Sequence, residues 1–167
     1  MKKKNFSLIL LAISIFSAVN VFAESNKTIA VTKANDIIGV HIVDNEHYNE
    51  AEQSYDRVNF NQDSEPFIDE SDRVQIPVRA IAEALNFEVL WDGSEQKITL
   101  TKDQNTVILH LNDTTISVND IKKQMDTTPL LKNDRTFIPL RFIGEAFGYE
   151  IDYSEAQNPN SISANVD

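Results

Sequence analysis

The residues able to do chemistry are scattered along the chain rather than grouped. His41, His47 and His110 are its three histidines, and no two stand at a spacing that brings imidazoles onto one face of a helix or strand for a metal. Cysteine is absent, which removes thiolate nucleophiles, thiolate ligands and disulfides together. Neither a Gly-x-Ser-x-Gly elbow nor a phosphate-cradling glycine loop occurs. Acids outnumber bases by 26 to 15, so carboxylates fall in nearly every turn and no pair is singled out for glycoside hydrolysis. None of their spacings matches an EF-hand loop. The expectation is a chain with no catalytic residue, no cofactor and no bound metal.

The charges that do recur are Arg79 with Glu83 and Arg141 with Glu145, each four residues apart, and Arg73 and Arg135 a few residues before them. At helical spacing such pairs bridge along an exposed flank, worth about 0.3 kcal/mol each. Their arginine stems can also cover sheet edges, so these residues are read as structural. Arg73 and Arg135 are expected to tie loops to the sheet. Trp91, Tyr149 and Tyr153 fall on the apolar phase of their strands and are expected in the core. Tyr48 and Tyr55, in an acidic stretch, are the better candidates for contact with a partner.

Several elements must position these side chains. Met1-Lys2-Lys3-Lys4, an apolar run from Phe6 to Val19 and Val21-Phe22-Ala23 read as a secretory signal peptide over residues 1–23, cut after Ala23. The run is short of the ~18 unbroken apolar residues that would make it a membrane anchor. Cleavage would leave 144 residues, and loss of three lysines would take the net charge from −11 to −14. That surface repels nucleic acid phosphates and anionic lipid, so neither is expected as a partner. Residues 24–35 look polar and aperiodic, hence a linker, and 36–167 form the folded domain. Alternation predicts strands around Ile38–Ile42, Phe87–Trp91, Ile98–Leu100, Val107–Leu111, Ile116–Val118 and Tyr149–Tyr153, with an edge strand near Ile162 and Val166. Asp92-Gly93 reads as a tight hairpin turn.

Two segments switch to helical period. Pro77 leads Val78, Ile81, Ala82 and Leu85 up to Asn86, and Pro139 leads Leu140, Ile143, Gly144 and Phe147 up to Gly148. These segments align without a gap at a shift of 62 residues. Asp72 through Arg79 matches Asp134 through Arg141, and the match continues through Glu83 with Glu145 to Trp91 with Tyr153. The prediction is an α+β fold, antiparallel sheet packed on two short helices, built from an internally duplicated strand-helix-strand unit.

Both copies, from Pro66-Phe67-Ile68 to Trp91-Asp92 and from Pro129 to Gly148, resemble the stalk-type domain named after the copper amine oxidase N-terminus. The likeness covers roughly residues 58–154. It implies strands wrapped around a helix and a place on exported bacterial proteins. It also implies no oxidase activity, because copper and the quinone belong to a separate, larger domain in those enzymes. Where the family has glycine at turns, this chain has Asp72, Asp120 and Asp134, which tolerate positive φ at a loss of about 1 kcal/mol each. The function expected is a non-catalytic exported module for attachment, spacing or binding at the bacterial cell envelope, its partner wall glycan or an envelope protein. The alternatives are a secreted interaction or inhibitor module acting through the acidic stretch Asp44–Asp56, and an unrecognised extracellular hydrolase.

Overall fold

The structure is a computed structural model and describes residues 27–35, 37–45 and 55–155. The signal segment, Tyr48 and the strand expected near Ile162 and Val166 lie outside the described residues. Among the described residues, thirteen strands form three sheets and are joined by two helices. All ladders are antiparallel except one, and the fold is α+β.

The first sheet holds β1 (Lys27–Ala34), β2 (Ile37–Asp44), β3 (Tyr55–Arg57) and β13 (Glu150–Glu155) in the order β13-β1-β2-β3. Most of the expected linker is therefore strand. Ile29 and Val31 of β1 point into the core while Ala30 and Thr32 take the other face. That alternation is masked in sequence because Thr and Ala stand where clearly polar residues would mark the second face, and one partner, β13, is remote. β1 pairs in parallel with β13, from Thr28 opposite Glu150 to Lys33 opposite Glu155.

The second sheet is a meander of β6 (Glu88–Asp92), β7 (Lys97–Lys102), β8 (Asn105–His110), β9 (Thr115–Val118) and β10 (Ile121–Gln124). One face carries Ile98, Leu100, Val107, Leu109, Ile116 and Val118 into the core. The β6–β7 connection is not a two-residue turn. Asp92 pairs with Lys97 across four loop residues, because Asp92 Oδ1 accepts bonds from Ser94 N at 2.9 Å, Ser94 Oγ at 2.6 Å and Glu95 N at 3.3 Å. An Asx turn of this kind holds the wider loop.

The third sheet has the order β11-β12-β5-β4, from β4 (Phe67–Ile68), β5 (Val74–Pro77), β11 (Leu130–Lys132) and β12 (Arg135–Pro139). Each central strand runs into a helix, β5 into α1 (Val78–Leu85) and β12 into α2 (Leu140–Ala146). Pro77 and Pro139 are the N-cap residues, one position before the first turn, where their missing N–H removes no helical bond. α1 ends at left-handed Asn86 with Phe87 N bonded to Ala82 O at 2.8 Å, and α2 ends before left-handed Gly148 with Tyr149 N bonded to Gly144 O at 2.9 Å. Each helix packs on both β5 and β12. Gly144 lets α2 approach the first sheet: a Cβ there would stand 2.2 Å from Ile151 Cδ1. A single apolar core joins all three sheets and both helices, with Phe87 stacked on Phe147 at 4.2 Å between centroids.

Candidate functional site

The turn between β4 and β5 is organised by a carboxylate. Asp69 Oδ1 accepts from Ser71 N and Arg73 N, both at 2.9 Å, and Oδ2 accepts from Gln75 Nε2 at 2.7 Å and Thr127 Oγ1 at 2.5 Å. Burial pushes the Asp69 carboxyl up, but those four donors outweigh it and hold the group below its ordinary value. Gln75 is fully buried and also donates to Thr128 O at 3.2 Å. This knot clamps the β10–β11 connection to the turn and aims Arg73 outward.

Arg73 Nε donates to Asp126 Oδ1 at 3.0 Å and Oδ2 at 2.9 Å, and its NH2 group makes a further close contact with Oδ2. The arginine bond and charge hold the Asp126 carboxyl below its usual range. On α2, Arg141 Nε donates to Glu145 Oε1 at 2.8 Å. The same surface carries Tyr153. Burial raises its phenol, the charges of Arg141 and Arg73 oppose that rise, and Glu145 adds to it. Arg73 with Asp126, Arg141 with Glu145, and Tyr153 therefore share one surface, on which Tyr153 is 48% exposed.

Tyr153 corrects one expectation, and Trp91 corrects it again. Both keep the core phase of their strands, Tyr153 beside Val31 and Trp91 beside Ile98. Yet both stand on edge strands, each with a neighbour on one side only among the described residues, and Trp91 is 44% exposed. Phase fixes a face, not the extent of what covers it. Tyr149 is buried as expected; its hydroxyl takes a bond from Lys102 Nζ at 2.6 Å, and that lysine also caps α1 at Leu85 O, 2.8 Å away.

The remaining sequence-derived residues divide. Arg79 and Glu83 on α1 are both exposed and form no ion pair with each other, unlike Arg141 and Glu145. Arg135 reaches Asp63 Oδ2 at 3.2 Å, tying its hairpin to the loop before β4. Tyr55 is not a free surface ring: it is half-buried and meets His41 edge-on at 4.9 Å. His41 is itself only 4% exposed on the inner strand β2. Burial, then the charge of Arg57, lowers its imidazole below the ordinary value. His110 stands on β8 in another sheet, so these two do not fit a shared copper centre. Among the described residues no three His, Asp or Glu side chains are placed to hold a metal.

Sequence reasoning passed over Asp69, Gln75, Asp126 and Thr127. Asp69 carried a local signal, an Asp two residues before Ser71 in a turn. Gln75 and Thr127 carried none, because their contact spans 52 residues.

An exposed aromatic ring with two guanidinium groups and a carboxylate near it can stack on an apolar ligand face while those groups bond its polar substituents. It presents no nucleophile with an adjoining base. Fold and surface together fit a non-catalytic, stalk-type module. The family model for the Copper amine oxidase N-terminal domain matches residues 54–162, and the chain belongs to that family. The matched segment runs from β3 through β13, so β1 and β2 are added ahead of it. No curated protein matches the chain.

Proposed function

We propose that this chain is an exported, non-catalytic module of the bacterial cell envelope that binds wall glycan through Tyr153 and its border of charges. The carrying observation is an aromatic ring left half uncovered within the fields of Arg141, Arg73 and Glu145. Aromatic faces hold the apolar face of a sugar, while flanking guanidinium and carboxylate groups bond its hydroxyls and charged substituents. The signal segment read in the sequence supplies the route to the envelope.

The two strand-helix-strand segments are one unit used twice. Supporting this, Ile76 lies opposite Ile138, the residue 62 positions on, and the helix-closing bonds fall at the same 62-residue spacing. Trp91 then corresponds to Tyr153 and offers a second aromatic surface.

Co-sedimentation with purified wall sacculi tests the reading. The exported chain should pellet with sacculi, Tyr153→Ala should release most of it, and Tyr153→Ala with Trp91→Ala should release all. Wild-type chain that stays in the supernatant overturns the proposal.

A further inference from the structure

The meander of the second sheet ends in two strands that each have one neighbour among the described residues, β6 beside β7 and β10 beside β9. An edge of this kind presents unpaired N–H and C=O groups to any strand that fits it. β6 offers Val89, Leu90 and Trp91 between Glu88 and Asp92, with Leu90 67% exposed. β10 is exposed throughout and offers Ile121, itself 54% exposed, followed by Lys122 and Lys123.

Charge decides among the pairings open to two copies. Joining β6 to a second β6 about a two-fold at Leu90 sets Glu88 opposite Asp92 of the other copy, twice. Joining β10 to a second β10 sets Lys122 opposite Lys123, again twice. Like charges directly opposite destabilise a ladder, and both two-fold pairings are penalised. Edge lysines guard β10 against its own kind while making it the match for an acidic edge.

Direction agrees with charge. Every ladder from β6 to β10 is antiparallel, so four reversals leave β6 and β10 pointing the same way. A copy displaced sideways therefore presents its β10 to β6 as a parallel strand, with the apolar faces of both sheets on the same side. Such a contact is heterologous and does not close at two.

We infer that copies of this chain join edge to edge, β10 of one adding to β6 of the next, to extend the five-stranded sheet. The interaction is short and of modest strength, suited to a surface where copies are held close together.

Sedimentation velocity of the exported, purified chain over rising concentration tests this. The weight-average coefficient should climb steadily past that of a dimer. Glu88→Lys with Leu90→Lys blocks β6 and leaves the Asp92 turn intact; Lys122→Glu with Lys123→Glu blocks β10. Each variant alone should associate at least tenfold more weakly. An equimolar mixture should recover association, because the native β10 of the first still meets the native β6 of the second. Circular dichroism confirms that both variants fold, and Leu90→Arg alone serves if the double change at β6 does not. A wild-type chain that stays monomeric, one that stops at a dimer, or a mixture no better than its components overturns the inference.

Discussion

Ile76 and Ile138 are cross-strand partners at the middle of the β5–β12 ladder, and both are fully buried. To either side, Gln75 meets Pro139 and Pro77 meets Phe137, so each strand shows the other the same positions. Prolines lack the N–H that would prolong the ladder, and there each strand turns into its helix. The junction is therefore short, apolar and covered by both helices. Truncating either isoleucine leaves a cavity with helices on one side and sheet on the other.

Ile76→Ala and Ile138→Ala should each destabilise by about 2–5 kcal/mol. Because the two residues are direct cross-strand partners in one core, the double variant should depart from the sum by at least about 0.5 kcal/mol. Urea unfolding of the four proteins measures both. A loss under about 1 kcal/mol for either single change would show that the β5–β12 junction does not anchor the core.

His41 makes stability depend on pH near neutrality. Its folded-state imidazole lies below the ordinary 6.5, held there by burial and then by Arg57. The unfolded chain thus takes up a proton first, so the contribution is complete above 6.5 and shrinks as pH falls toward the folded-state value. His41→Phe, which keeps an aromatic ring beside Tyr55, should flatten the fall in melting temperature between about pH 7 and about pH 5.5. An unchanged slope in the variant would assign the fall to other groups.

The helices were legible in sequence because everything that sets them is local: a proline at the start, apolar residues at helical spacing, and Asn86 or Gly148 to turn left-handed at the end. Strands β7, β8 and β9 were legible for the same reason, their alternation being clean. β1 was not, since Ala30 and Thr32 disguise a buried second face and its partners β2 and β13 lie on opposite ends of the chain. Trp91 and Tyr153 were placed on the right face and the wrong side of the surface. Alternation carries no information about where a neighbouring layer stops. Of the Tyr153 patch, the sequence singled out the arginines and Glu145 through their repetition. Asp126, Asp69 and Gln75 do not repeat, and only the folded chain brings them together.

Asp69 should be the carboxylate whose loss loosens that patch. Four donors converge on it, and an amide nitrogen in place of Oδ2 would face Gln75 Nε2 and Thr127 Oγ1 with a donor where both now find an acceptor. Asp69→Asn should destabilise by about 1–2 kcal/mol at neutral pH. Since the folded-state value is depressed, the stabilisation is present above the ordinary 3.8 and is lost as pH falls through the lower folded value. Wild type and variant should therefore converge in melting temperature in strong acid. A gap that persists there would mean that shape, not charge, is what Asp69 provides.

Asp120 and Asp134 sit in two-residue hairpin turns at φ of 66° and 58°, each after an asparagine that is also left-handed. Glycine adopts that backbone without the Cβ penalty. Asp120→Gly should raise stability by up to about 1 kcal/mol, a few degrees in melting temperature for a chain of this size. Asp134→Gly should do the same, and as the two turns are on different sheets the gains should add. A fall in melting temperature would show that these carboxylates make interactions worth more than the strain they carry.

Trp91 gives the proposed glycan contact an optical report, because it is the sole tryptophan and stands half uncovered beside the Gly93 turn. A ring that stacks on a sugar loses water from one face, and its emission should shift to the blue. Titration with soluble wall-glycan fragments should produce a saturable shift in the wild-type chain. Tyr153→Ala should lose most of its glycan binding but keep that shift for the glycan it still binds, since Trp91 stands on a different sheet. Glycan that binds without altering the emission would confine the activity to the Tyr153 patch and leave Trp91 to the sheet edge alone.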